Sequence, residues 1–263
     1  MNFIYPICSS SKGNATYIGS REYGILIDCG IGIRSLSNAL KLNNIPLSAI
    51  QAVFVTHEHG DHIKGLSKLG ENIPFTLYGN VPTLREVIDR GGVGSKVKLK
   101  EINRKPATVC DMLVQPFHTS HDSADSMGYH VTLPNGKRFC LCTDLGYVSE
   151  EVSSHLKNSD FVLLESNYEE SLLLNGSYPP YLKERIRGRQ GHLSNADCSA
   201  ALKRLLETGV CHFMLGHLSE ENNRPELALS VSATALTEAG AKIGTDCSLA
   251  VAPRMTVGKV VEL

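Results

Sequence analysis

Metal-competent side chains crowd one short stretch of the sequence, His57-x-His59-x-Asp61-His62. Imidazole and carboxylate groups at this density need polar partners once water is removed, and apolar packing cannot supply them. A divalent cation can. Nitrogen and carboxylate oxygen donors without thiolate suit Zn²⁺, Mn²⁺ or Fe²⁺ at sites that keep a position open for water or substrate. The ordinary alternative, a solvated histidine-rich turn, leaves the clustering unexplained. Cations held this way acidify water and neutralise developing charge, so the chemistry expected is hydrolysis.

One short stretch cannot complete two coordination spheres, so further donors are expected from other strand ends. His121 follows the apolar run Met112–Phe117, Asp144 follows Arg138–Cys142, and His217 follows Val210–Leu215. Each run reads as a strand, which would set the three donors on one rim. His118 competes with His121. The latter is favoured because it lies further past the strand and heads the polar stretch His121-Asp122-Ser123; His118 is then expected to pack or to support it. His130 and His212 lie within strand-like runs and His155 on a helix, so core, surface or supporting roles are expected of them.

The elements that must position these donors are legible from pattern. Ala15–Ile18 and Ile25–Asp28 read as strands joined by the polar stretch 19–24. A helix is expected over Arg34–Leu42, ended by Asn43-Asn44 before Pro46. Ala52–Val55 is a strand delivering the chain into the His/Asp motif. Phe75–Tyr78, Lys96–Ile102, Gly128–Leu133 and Phe161–Leu164 are further strand candidates, with Pro134-Asn135-Gly136 as a hairpin turn. Helices are expected over Pro82–Arg90, with Gly91-Gly92 after it, over Ser149–Lys157, over Asn195–Thr208 between Ser194 and Gly209, and over Pro225–Ala239. The stretch Glu165–Gln190 is expected to be a long functional loop. Strands in both halves with helices between them predict two sheets packed face to face under helices, in one domain covering 1–263.

The 263 residues carry 26 Lys+Arg against 27 Asp+Glu, a formal charge of −1. That excludes a strongly basic polymer binder and leaves nucleic acid as a partner only through a local patch. Lys183, Arg185, Arg187 and Arg189 oppose a lone Glu184, whereas the stretch 150–170 is acidic. Lys183, Arg185 and Arg187 are therefore candidates for salt-sensitive contact with a phosphate backbone. Ser9, Ser10 and Asn14 are candidate neutral phosphate donors, a simple turn being the alternative. The 8 Cys include no C-x-x-C pair and read as reduced, mostly buried thiols. The sequence opens on neither a basic segment nor an apolar run, and no apolar stretch approaches the roughly 18–20 residues that span a bilayer. A cytoplasmic protein with no membrane partner is expected.

In order, Asp28 after a strand, His57-x-His59-x-Asp61-His62, His121, Asp144 and His217 resemble the five motifs of the metallo-β-lactamase superfamily. The resemblance implies an α/β fold, the αββα four-layer sandwich, with two divalent ions at one edge of the paired sheets. Zn or Mn fits best, with Fe or Ni as options. It further implies that His57, His59 and His121 hold one ion, that Asp61, His62 and His217 hold the other, and that Asp144 bridges them. Asp28 would support the ligands through hydrogen bonds. A Glu would be expected at position 59 in flavo-diiron oxidoreductases, and this chain has His there.

The stretches 178–188, Gly191-His192-Leu193-Ser194-Asn195 and 216–225, together with 9–14, are similar to the YycJ/WalJ branch of that superfamily over nearly the whole chain. This implies a phosphodiesterase acting on DNA as a 5′→3′ exonuclease through a hydroxide shared by two metal ions, with a role in DNA repair. Asp61 could orient that hydroxide or take its proton. By similarity to RNase Z relatives, His192 would contact a phosphate oxygen or protonate the leaving oxygen; a structural hydrogen bond at the helix entrance is the alternative. Glu165-Ser166-Asn167-Tyr168-Glu169 departs from the Glu-Ala-Asn-His-Asp usual in the branch. Competing functions are an RNA-processing nuclease, a hydrolase of a small phosphodiester such as a cyclic nucleotide, a thioesterase, and a metal-stabilised nucleic-acid-binding protein without activity. DNA is favoured over RNA as the partner.

Overall fold

The computed structural model describes residues 2–254 and 258–262. In chain order the first half runs β1 (Phe3–Ser10), β2 (Gly13–Gly19), β3 (Gly24–Ile27), α1 (Ile33–Leu42), β4 (Ile50–Phe54), α2 (Gly60–Ile63), α3 (Leu66–Asn72), β5 (Phe75–Gly79), α4 (Val81–Asp89) and β6 (Val97–Glu101). The second half runs β7 (Ala107–Val109), β8 (Met112–His118), β9 (Met127–Thr132), β10 (Arg138–Cys142), α5 (Glu150–Lys157), β11 (Phe161–Glu165), α6 (Glu170–Asn175), α7 (Pro180–Arg187), α8 (Asn195–Leu206), β12 (His212–Gly216), α9 (Pro225–Glu238), β13 (Ser248–Val251) and β14 (Val261–Glu262).

One sheet has the order β14-β1-β2-β3-β4-β5-β6 and the other β13-β12-β11-β10-β9-β8-β7. Ile4, Ile25, Phe54, Tyr129, Phe139 and Leu163 meet between them in a shared apolar layer. Leu36, Leu40, Leu69 and Leu84 seal the outer face of the first sheet under α1, α3 and α4. Val152, Leu156, Leu202 and Leu236 do the same for the second under α5, α8 and α9. The result is the expected αββα sandwich, its strands apolar on both faces because both faces are covered. Helix starts follow local chemistry. The Asn80 side chain accepts from Thr83 N (2.9 Å), Ser149 from Val152 N (3.2 Å) and Ser194 from Asp197 N (3.0 Å).

Strand polarity decides where the chemistry collects. β3, β4, β5 and β6 are mutually parallel, as are β10, β11, β12 and β13. β8 runs antiparallel to β9, which is antiparallel to β10, so β8 shares the direction of β10. The carboxyl ends of β3, β4, β8, β10, β11 and β12 therefore open onto one rim, the usual place for a site in such sheets.

Three expectations are corrected. The stretch 165–190 is no long loop: α6 and α7 occupy it, and Tyr168, Leu173 and Ile186 form a small apolar cluster that pins both helices to the body. Flanking Pro179 and Gly188 and a polar composition hide α7 from pattern reading. The first residues are a buried strand, β1, so Ser9 and Ser10 lie at a strand end rather than in a free turn. The strand expected from Val210 begins at His212, which is exposed. Among the described residues all eight cysteines are free, six of them buried and Cys110 and Cys211 partly so. No helix there is long and apolar enough to cross a membrane.

Candidate metal centre

Leaving β4, the chain passes through Thr56 into His57 and then starts α2 with His59 as the residue before its first turn. This short helix, unforeseen from sequence, puts Asp61 and His62 on the inner side of the turn. Gly30 makes the close packing possible, because a Cβ there would lie 1.6 Å from the Asp61 carbonyl oxygen. Asp28, Asp144 and His217 each adopt a left-handed backbone, with φ of 58°, 59° and 51°. Each follows a parallel strand directly or within two residues. This conformation costs on the order of 1–2 kcal/mol per residue, and it recurs here where side chains must turn into the rim.

The expected ligands come together. His57, His59 and His121 form one group, Asp61, His62 and His217 a second, and His57, His62 and Asp144 a third that overlaps both; ligand atoms within each group lie within 4.8 Å of one another. His121 Nε2 is 3.3 Å from His59 Nδ1. Asp144 stands between the halves, with Oδ2 3.3 Å from His62 Nε2 and Oδ1 3.2 Å from His217 Nε2. His57 Nε2 is buried without a hydrogen-bond partner among the described residues, as fits a nitrogen whose lone pair is reserved for a cation.

Electrostatics point the same way. Burial, followed by His62, pushes His57 well below the usual imidazole range, and burial also lowers His59 and His217. Neutral imidazole is the ligand form. Burial works against ionised Asp144 as well, yet His217, His62 and His57 outweigh it and hold the carboxyl well below its ordinary value. His62 is the exception. Burial opposes its charge, but Asp28, Asp61 and Asp144 prevail and raise it.

Supporting groups complete the centre. Asp28 accepts from Thr56 N (2.8 Å) and Thr56 Oγ1 (2.9 Å) and lies 2.8 Å from His62 Nδ1, which fixes the ring with Nε2 facing the cluster. His118 pairs with Asp125 at 2.9 Å, away from the cluster. His130 is buried in β9, and His155 stacks on Phe117. His192 does reach the rim: its Nδ1 is 2.7 Å from Glu165 Oε1 and 3.7 Å from Asp144 Oδ1. Burial would lower the His192 pKa, but Glu165 reverses this and pushes it up to about 9.

Ser9, Ser10 and Asn14 occupy a different place from the substrate-facing one expected. They are buried. Ser9 Oγ accepts from His217 N (2.9 Å), and Ser10 Oγ donates to the Arg254 carbonyl (3.2 Å). Asn14 Nδ2 donates to Asp61 Oδ2 (3.3 Å) and lies 3.1 Å from His62 Nε2, while its Oδ1 is 3.2 Å from His217 Nδ1. The basic run is likewise engaged within the protein. Lys183 Nζ donates to the Leu174 and Gly176 carbonyls at the end of α6, Arg185 pairs with Asp122, and Arg187 pairs with Glu170 at 2.6 Å. Arg189 stacks over Tyr147.

Sequence reasoning passed over Thr56, Asn14 as a support, and Glu165. The last was findable, since it ends the apolar run Phe161–Leu164 as Asp144 closely follows Arg138–Cys142. Buried in full, Glu165 accepts through Oε2 from Leu145 N (3.0 Å) and Leu193 N (3.2 Å).

The profile of the beta-lactamase superfamily domain matches residues 23–218, which includes every cluster residue named above except Ser9, Ser10 and Asn14. Exodeoxyribonuclease WalJ of Streptococcus pneumoniae is 34% identical over 250 residues, covering 94% of this chain and 93% of the relative. Exodeoxyribonuclease YycJ of Bacillus anthracis is 32% identical over 241 residues, 90% of each. The crystal structure of the metallo-β-lactamase fold protein YhfI from Bacillus subtilis shares the fold at a TM-score of 0.73 and 16% identity over the full length of both chains. The chain belongs to the metallo-β-lactamase superfamily of metal-dependent hydrolases, in its YycJ/WalJ branch.

Proposed function

We propose that the protein cleaves phosphodiester bonds in DNA as a 5′→3′ exonuclease and serves in DNA repair. The observation that carries this reading is the meeting of the two His/Asp groups with the Glu165-paired His192 on one rim. His57, His59 and His121 would hold one divalent ion and Asp61, His62 and His217 the other, with Asp144 shared. Zn²⁺ or Mn²⁺ bound there supplies an acidified water and charge neutralisation at the phosphate.

The chain's own groups do the rest. Asp61, whose side chain keeps 23% of its exposure, orients the attacking water from the position Asn14 gives it. Glu165 accepts the Nδ1 proton of His192 and favours the doubly protonated ring, so that Nε2 carries a proton as well. From Nε2 it can donate to the departing oxygen, one proton moving to the leaving alkoxide as the P–O bond breaks. Glu165 is a positioning residue in this scheme, held on its second oxygen by two backbone N–H groups.

Protein reconstituted with Mn²⁺ or Zn²⁺ should release mononucleotides from 5′-labelled DNA duplexes, and prior chelation should stop the reaction. Failure to cleave any DNA or RNA, with turnover of a thioester or a cyclic nucleotide instead, would overturn the reading.

A further inference from the structure

The cations of α7 hold partners within the protein; a second group of cations lies around β6. Lys98 and Lys100 on β6 and Arg104 and Lys105 in the turn beyond it are all exposed. Among the described residues none of the four forms an ion pair, and Lys100 instead stands 5.4 Å over the ring of Tyr78. β6 ends one sheet and β7 ends the other, so the sandwich is open along this edge. A cavity of about 520 Å³ lies there, lined by Tyr78, Lys100, Ile102, Lys105 and Pro106 among others. Glu101 is the lone acid in the stretch 96–105.

The edge is continuous with the metal centre. β4, β5 and β6 are parallel, so the turn after β6 lies on the rim that bears His57. Two inter-strand spacings separate the strands, about 10 Å, or roughly three base-pair rises of duplex. Hydrogen bonds tie the intervening rim together: Ala124 N to Glu58 Oε1 (3.0 Å), Asn80 Nδ2 to the Asp125 carbonyl (2.8 Å) and Ile102 N to the Gly79 carbonyl (2.9 Å). Edge-strand lysines commonly guard against pairing with another sheet. That role would account for Lys98 and Lys100 but needs neither Arg104 nor Lys105, which lie past the strand.

We infer that the open β6–β7 edge is the track for the phosphate backbone of the DNA substrate, which it meets a few nucleotides from the bond being cut. The inference rests on the nuclease reading and adds a location for the polymer. Unpaired, exposed cations bind phosphates by releasing counterions, so the interaction is salt-dependent and independent of sequence.

The test compares wild type, Lys98→Gln/Lys100→Gln and Arg104→Gln/Lys105→Gln on a long DNA duplex and on bis-p-nitrophenyl phosphate. Each double variant should raise KM for the duplex by about fivefold or more at physiological salt. Each should also flatten the log–log salt dependence of binding by about one unit per contact removed, while turnover of the small ester stays at the wild-type rate. If wild type cleaves the duplex and Arg104→Gln/Lys105→Gln matches it in KM and salt slope, the track is overturned and the lysines only guard the edge. If wild type neither binds nor cleaves nucleic acid, the nuclease reading falls, and the track with it.

Discussion

His192 Nδ1 lies 2.7 Å from Glu165 Oε1, a contact between the end of β11 and the entrance to α8. Glu165 is what raises the ring above its ordinary range, to about 9. A protonated His192 can act as an acid, so activity should hold below that value and fall as the pH rises through it. Glu165→Gln removes the charge that retains the proton, and the alkaline limb should move down toward the imidazole value of about 6.5. At pH 8 the variant's kcat should drop by up to about thirtyfold. A pH–rate profile checks this, and an unmoved limb would assign it to another group.

Ligands and non-ligands should separate by metal content. Asp61→Ala should abolish turnover and lose metal. His192→Ala should lower kcat by about 10²-fold or more, the usual worth of a positioned acid, with metal retained. Elemental analysis alongside kinetics decides, and equal metal loss in both variants would refute the distinction.

Asp28 touches no proposed ligand position directly except through His62. Asp28→Ala should weaken metal binding by about 10–100-fold, as losses of ligand-orienting partners do. Titration with a chelator measures it; undiminished affinity would mean that Thr56 orients the ring unaided.

Ser9→Ala and Asn14→Ala tell apart two roles for the same residues. Phosphate donors would raise KM for DNA and leave metal binding intact. Their contacts to His217, His62 and Asp61 predict the reverse, lower occupancy on the Asp61 side with little change in KM once metal saturates. Metal titration and steady-state kinetics on the same samples distinguish them.

The candidate donor set is readable because each proposed ligand is a polar residue just past an apolar run, and parallel strands then bring those ends to one rim. His57 through His62, His121, Asp144 and His217 all follow that rule. Asn14 does not: a single amide inside an antiparallel hairpin looks like turn chemistry until β2 is seen to run beneath α2. Lys183, Arg185 and Arg187 illustrate the converse, since charge in a row gives no hint that Asp122 and Glu170 will be folded against it. Lys98, Lys100, Arg104 and Lys105 carry comparable charge, and what sets them apart is that among the described residues none of them forms an ion pair at an open sheet edge, a property of packing alone.

Ser9 Oγ receives the backbone N–H of His217 across 208 residues of chain. During synthesis, His57, His59 and His121 emerge well before the segment that supplies His217. A growing polypeptide can thus bring together the His57, His59 and His121 group early, whereas the proposed second ion site would form only once β12 has docked beside β11. In the proposed scheme, activity therefore waits for completion of the second sheet.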